Sequence, residues 1–248
     1  GVRIDDASNN MIGGPGGRDG NVISGNDSAG VRIEGESTGN FIERNRIGTD
    51  VDGLAAIPND GAGILLGEGV QNTQITSNVI AGNFGHGVHL RGSTEAAPTT
   101  GNVIRSNFIG VGADATVLLS NLRSGVFLEE SIGNLVGGAN LGDGNVIAGN
   151  GESGVKISDG SDNTIAGNFI GTNTDGAPGL GNSDFGIWVQ DSSDNTIGLD
   201  ASPNVIVSNG NDGILIEGAF STNNLVQSNF IGVTPPSFPA GSESRGNA

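Results

Sequence analysis

Along the chain, apolar residues come in short runs that alternate with variable positions, and each run is closed by glycine, asparagine or both. A glycine followed by two aliphatics flanking one variable residue recurs at Gly1-Val-Arg-Ile4, Gly30-Val-Arg-Ile33, Gly63-Ile-Leu-Leu66, Gly87-Val-His-Leu90, Gly125-Val-Phe-Leu128, Gly154-Val-Lys-Ile157, Gly186-Ile-Trp-Val189 and Gly213-Ile-Leu-Ile216. Each of these eight restarts is followed by two Asn-x-aliphatic segments, such as Asn40-Phe-Ile42 and Asn45-Arg-Ile47, or Asn163-Thr-Ile165 and Asn168-Phe-Ile170. Only Thr73 replaces asparagine in the first of the two series. Three period-2 segments per repeat, too short and too closely bounded for helices, predict three short strands joined by corners. Because every repeat runs in the same order and direction, strands of successive coils must pair in parallel, with equivalent residues stacked about 4.8 Å apart. The pattern therefore predicts an all-β parallel β-helix solenoid of eight three-strand coils, triangular in section. The crossover rule favours a right-handed coil.

Within this frame Val2, Ile4, Ile12 and Ile23 point inward, and the asparagines that share their parity lie inside the corners. There they can hydrogen-bond backbone groups and one another, as stacked amides do. Coil lengths from restart to restart are 29, 33, 24, 38, 29, 32 and 27 residues. Taken in pairs they give a repeat of about 62 residues, so one domain over 1–248 divides into units 1–62, 63–124, 125–185 and 186–248. Odd coils carry an extra corner asparagine after the third strand (Asn26, Asn83, Asn150, Asn209), whereas even coils run into a long loop, as at Ile47-Gly-Thr-Asp50 and Ile170-Gly-Thr-Asn173. Four long loops are expected at the same corner of alternate coils, and loops of that length carry function or cover something.

Composition narrows the function. The chain has 46 glycines, no cysteine and a formal net charge of −17. The glycines fit frequent sharp turns. Without cysteine, disulfides and thiolate chemistry are excluded. The charge opposes a phosphate backbone and an anionic membrane surface, which excludes nucleic acid as the expected partner. No apolar stretch approaches a membrane span and no basic-then-apolar leader opens the chain, so no membrane insertion is expected and the chain reads as mature or excised.

Gly-Val-x-Ile, followed by two Asn-x-Ile segments and Ile-Gly-Thr-Asp, resembles the parallel β-helix repeats of large bacterial extracellular proteins, the right-handed β-helix superfamily. The resemblance spans essentially the whole chain and implies an extracellular or cell-surface, bacterial setting. That superfamily includes surface and adhesive solenoids, polysaccharide lyases, hydrolases and epimerases, so it implies the fold, with its right-handed coil, and leaves the function open among them. The regular duplication points to a non-enzymatic structural or adhesive solenoid, and the absence of a recognisable cap at either end is expected either of a segment cut from a longer array or of a subunit that self-associates end to end.

The first strand carries the most varied outward face: Arg3, Arg32, Leu65, His89, Phe127, Lys156, Trp188 and Leu215, with Asp5, Glu34, Gly67, Arg91, Glu129, Ser158, Gln190 and Glu217 two places on. Aromatic rings beside basic and acidic groups suit a sugar surface, with Arg91, Phe127, Lys156 and Trp188 as the glycan-binding candidates. The bland alternative is a solvated face with cross-strand pairs such as Arg3 with Glu34. A carbohydrate-active enzyme acting on acidic polysaccharide would need a proton-abstracting group beside charged partners, which only His89, Arg91, Glu129 and Lys156 supply. Gly85-His86-Gly87 and Asp5-Asp6 resemble elements of polygalacturonases, but the acids lie about three coils from His86, and adjacent strand residues face opposite ways. The outward series of the third strand, Val22, Arg46, Val79, Phe108, Val146, Phe169, Val205 and Phe230, is too apolar to face water. Leu54, Ala55, Ala56 and Ile57, or Val117, Leu118 and Leu119, from the long loops are expected to cover it; the alternative is another molecule, through lateral packing of solenoids. Asp50, Asp52, Asn173 and Asp175 place oxygen ligands on glycine-containing turns, as a Ca2+ site would. No cofactor is required.

Overall fold

The structure, a computed structural model, describes residues 1–17, 19–93, 98–238 and 243–248. Its 24 strands form three eight-stranded parallel sheets, each taking one strand from every coil in unbroken order. The register is that of the sequence repeat. Val88, His89, Leu90 and Arg91 lie opposite Val126, Phe127, Leu128 and Glu129, which lie opposite Val155, Lys156, Ile157 and Ser158. Stacked aliphatics fill the prism. From the second to the seventh coil the inward residues Ile33, Leu66, Leu90, Leu128, Ile157 and Val189 of the first sheet are fully buried, as are Ile47, Ile80, Ile109, Ile147, Ile170 and Ile206 of the third.

Asparagine ladders line all three corners. Before the third strand, Asn21, Asn45, Asn78, Asn107, Asn145, Asn168, Asn204 and Asn229 form an unbroken chain in which each Nδ2 donates to the next Oδ1 over 2.8–3.1 Å. Asn107 shows how fully each amide is used. Its Nδ2 donates to the Ile75 and Arg105 carbonyls and to Asn145 Oδ1, while its Oδ1 accepts from the Asn78 backbone N–H and Nδ2. The corner before the second strand has the same ladder, broken at Thr73, whose buried hydroxyl has no partner among the described residues.

The third corner differs from the sequence expectation. Its ladder is not confined to odd coils: Asn59, Asn121, Asn182 and Asn247 complete an eight-member chain with Asn26, Asn83, Asn150 and Asn209. Even coils reach this position only after their long loop, but the corner still needs its amide, because buried backbone groups must be paired. The restart glycine follows four residues later for a steric reason. A Cβ on Gly125 would sit 2.6 Å from Ile147 Cγ2 and 2.8 Å from both Asn150 Nδ2 and the Gly154 carbonyl oxygen.

The long loops do fold over the third sheet, though through other residues than expected. Leu54, Ile57, Val117 and Leu118 stay substantially exposed, whereas Val111, Ala115 and Leu180 are buried against Val146, Phe108 and Phe169 in a second small core. Successive loops also touch. Ala113 N–H donates to the Gly53 carbonyl at 2.9 Å and Asn173 Nδ2 to the Ala115 carbonyl at 3.2 Å. Val22, on the first coil, remains 46% exposed.

Two substitutions test this account by thermal or denaturant unfolding. Asn107→Ala removes five hydrogen bonds and leaves buried groups unpaired, and is expected to cost about 3 kcal/mol. Thr73→Asn restores the missing amide and is expected to stabilise by about 1 kcal/mol; an unchanged midpoint would show that the ladders are passengers.

Candidate functional site

With the loops gathered over the third sheet, the outward side chains of the first sheet form the varied surface. At its first coils the face is made of ion pairs: Arg3 Nη2 lies 2.9 Å from Asp5 and 3.2 Å from Glu34, which Arg32 also contacts. The expected Arg3–Glu34 pair is thus present. Further along, the register places His89, Phe127, Lys156 and Trp188 in one column on four consecutive coils.

His89 stacks on Phe127 with ring centroids 4.9 Å apart and planes 19° from parallel, and its Nε2 is 2.9 Å from Glu129 Oε2. The Lys156 ammonium lies 3.7 Å over the Trp188 ring and 5.6 Å from the Phe127 centroid. Trp188 Nε1 donates to Glu217 Oε1 at 3.0 Å, which fixes the indole edge. Arg91 reaches solvent at one end of the column and lines an open pocket of about 440 Å³ with Asp6, Glu34, Glu36 and Glu68. The glycan candidates Phe127, Lys156 and Trp188 are therefore in mutual contact, and Arg91 stands beside them as the register partner of Glu129.

The corner preceding the first strand contributes side chains that strand periodicity does not reveal. His86, just before the restart Gly87, packs 5.1 Å from His89 and 4.9 Å from Phe127, and Phe185, in the same position before Gly186, packs 5.5 Å from Trp188. The signal was the residue immediately before each restart glycine. Burial, reinforced by the positive charges of Arg123 and Lys156 and by repulsion between the two imidazoles when both are protonated, pushes His86 down to about 3. Burial also lowers His89, against the opposing effect of Glu129, so both imidazoles are neutral at neutral pH.

The remaining candidates are dispersed. Asp5 is on an outward strand position and Asp6 at the following corner, where its Oδ1 accepts the Glu36 N–H; neither is near His86. Asp50 Oδ1 accepts the N–H groups of Leu54 and Ala55, bonds that hold its carboxyl below the usual range, and Asn173 Oδ1 accepts those of Asp175 and Ala177. These oxygens shape their own turns, and the side chains of Asp52 and Asp175 are exposed. Among the described residues no three His, Asp or Glu side chains converge to hold a metal, and no helix is long and apolar enough to cross a membrane.

A three-sheet solenoid with corner amide ladders and an aromatic, charged first face defines a parallel β-helix protein. The chain belongs to the right-handed β-helix family, whose model, described as a right handed beta helix region, matches residues 63–237. Residues 1–117 are similar to a second model, periplasmic copper-binding protein (NosD). Among solved structures, the periplasmic alginate epimerase AlgG is similar over 85% of this chain and 44% of its own, with 18% identity and a TM-score of 0.60. The A-module of an Azotobacter vinelandii mannuronan C-5 epimerase is similar over 87% and 57%, with 20% identity and a TM-score of 0.51. The chain thus spans about half the length of these neighbours, and the likeness is one of fold. No curated protein sequence matches. Copper favours histidine and sulfur ligands, but cysteine is absent, the single methionine, Met11, is exposed on the second sheet, and no three-ligand group forms among the described residues. The residues do not fit a copper centre.

The buried imidazoles make stability depend on pH. A histidine whose folded pKa is depressed stabilises the fold fully above its unfolded value near 6.5 and progressively less as pH falls toward the folded value of about 3. Between pH 6.5 and 4.5 His86 alone is expected to remove about 2–3 kcal/mol. Unfolding curves of His86→Gln should be flatter across that window; a parallel decline in both proteins would contradict the assignment.

Proposed function

We propose that the chain is a non-enzymatic, adhesive β-helix that binds a polysaccharide on the outer face of its first sheet. The observation that carries this reading is the contiguous column His89, Phe127, Lys156 and Trp188, flanked by Phe185 and by Glu129 and Glu217. Sugars stack their apolar ring faces on aromatic side chains and hydrogen-bond to charged groups at the rim, and this column offers both. The coil rise of about 4.8 Å repeats these elements at intervals close to the length of one pyranose ring, which suits a linear chain lying along the solenoid axis. The reading includes an extracellular or periplasmic bacterial setting, supported by the word periplasmic in the names of AlgG and of the NosD family.

Affinity electrophoresis against a panel of neutral, acidic and amino polysaccharides tests it. Retardation should occur with at least one member and should weaken about tenfold in Trp188→Ala and in Phe127→Ala. Retardation unaffected by both substitutions would place binding elsewhere.

One observation favours a second reading, a carbohydrate-active enzyme: His89 is neutral, hydrogen-bonded to Glu129 and two places along its strand from Arg91, as a proton-abstracting base beside a carboxylate-binding group would be. Product analysis of retained polysaccharide distinguishes the two. An unchanged polymer supports the binding module, while cleavage or epimerisation lost in His89→Gln establishes the enzyme.

A further inference from the structure

The column that would receive a sugar already holds an ammonium group, and its surroundings say what kind of ligand belongs there. Lys156 lies across the face of Trp188 at 3.7 Å and near Phe127 at 5.6 Å, within the range of cation–π attraction. The first-sheet strands of coils six to eight and their flanking corners carry Glu152, Asp159, Asp184, Asp191, Asp212 and Glu217 against one cation, Lys156, and Glu217 is in contact with Trp188. All six carboxylates reach solvent, and among the described residues none of them is in an ion pair. Glu217 is anchored at the indole edge by the Trp188 Nε1 bond of 3.0 Å, so aromatic face and carboxylate are held as one unit. Phe185, 5.5 Å from Trp188, walls the same unit on the corner side.

We infer that the ligand of this face is a cationic amino-sugar polymer, with protonated amines taken by the Trp188 face and its carboxylate rim, and that Lys156 is the internal stand-in for such an amine. The inference rests on the glycan-binding reading and deepens it. Both the aromatic quadrupole and the uncompensated carboxylates favour positive charge, and the whole chain, at −17, attracts cations from a distance. An acidic polysaccharide would meet the same carboxylates as repulsion. A neutral one would gain stacking alone and would have to displace Lys156 without replacing its charge.

Isothermal titration with a glucosamine hexamer, an N-acetylglucosamine hexamer and an oligouronate, in mildly acidic buffer that keeps the amines protonated and the carboxylates ionised, tests the inference. The glucosamine hexamer should bind tightest. Trp188→Ala should weaken it roughly tenfold. Lys156→Ala should strengthen it about threefold or more by vacating the ring, a gain that misfolding cannot produce. Glucosamine affinity unchanged or lowered in Lys156→Ala, or tighter binding of the N-acetylated oligomer or the oligouronate, overturns the amino-sugar inference. If that tighter binding is lost in Trp188→Ala, the glycan-binding reading survives. Absence of binding to all three overturns both.

Discussion

The constraint on which everything else depends is the hydrogen-bonding demand of the corners. A β-helix turns its chain three times per coil, and at each corner backbone groups leave the sheet ladder while still buried. Asparagine answers this with a side chain short enough to stay inside the corner, carrying two donors for local carbonyls and the next amide, and an oxygen that accepts from the coil before. The same group therefore closes the corner and joins adjacent coils. Because the amides point in one direction along the axis, each ladder is polar, and its members polarise one another. The packed aliphatics supply the hydrophobic driving force, but the amides fix the register in which they stack.

That register divides the surface. The long loops leave the third corner at alternate coils and lie over the third sheet, where Val146, Phe108 and Phe169 need cover. The outer face of the first sheet is left for side chains whose identity no packing requirement dictates, and there Arg, Leu, His, Phe, Lys and Trp succeed one another along a single column. The ion pairs near the first coils and the aromatic groups further on are two uses of one geometry.

Most of this was legible in the sequence because the repeat is short and the strands have period 2. Strand order, pairing, inward parity and the His89, Phe127, Lys156 and Trp188 column all follow from aligning eight restarts. Two features escaped for related reasons. Asn59, Asn121, Asn182 and Asn247 follow insertions, so counting forward from the third strand misses them, while counting four residues back from Gly63, Gly125 and Gly186 finds the first three. His86, Phe185 and Arg123 sit in corners, where alternation says nothing about direction, and their convergence on the column becomes visible only in three dimensions. The covering of the third sheet was foreseen from its apolar series, but the long loops turn Val111, Ala115 and Leu180 inward and leave Leu54, Ile57 and Leu118 substantially exposed.

An outward side chain on the first sheet meets chiefly its equivalents one coil before and one coil after, and it takes no part in the amide ladders beneath. Exchanges more than two coils apart are then close to additive. Recognition along such a surface can be rewritten locally, one coil at a time, during evolution or in the laboratory, while the scaffold that bears it keeps its shape.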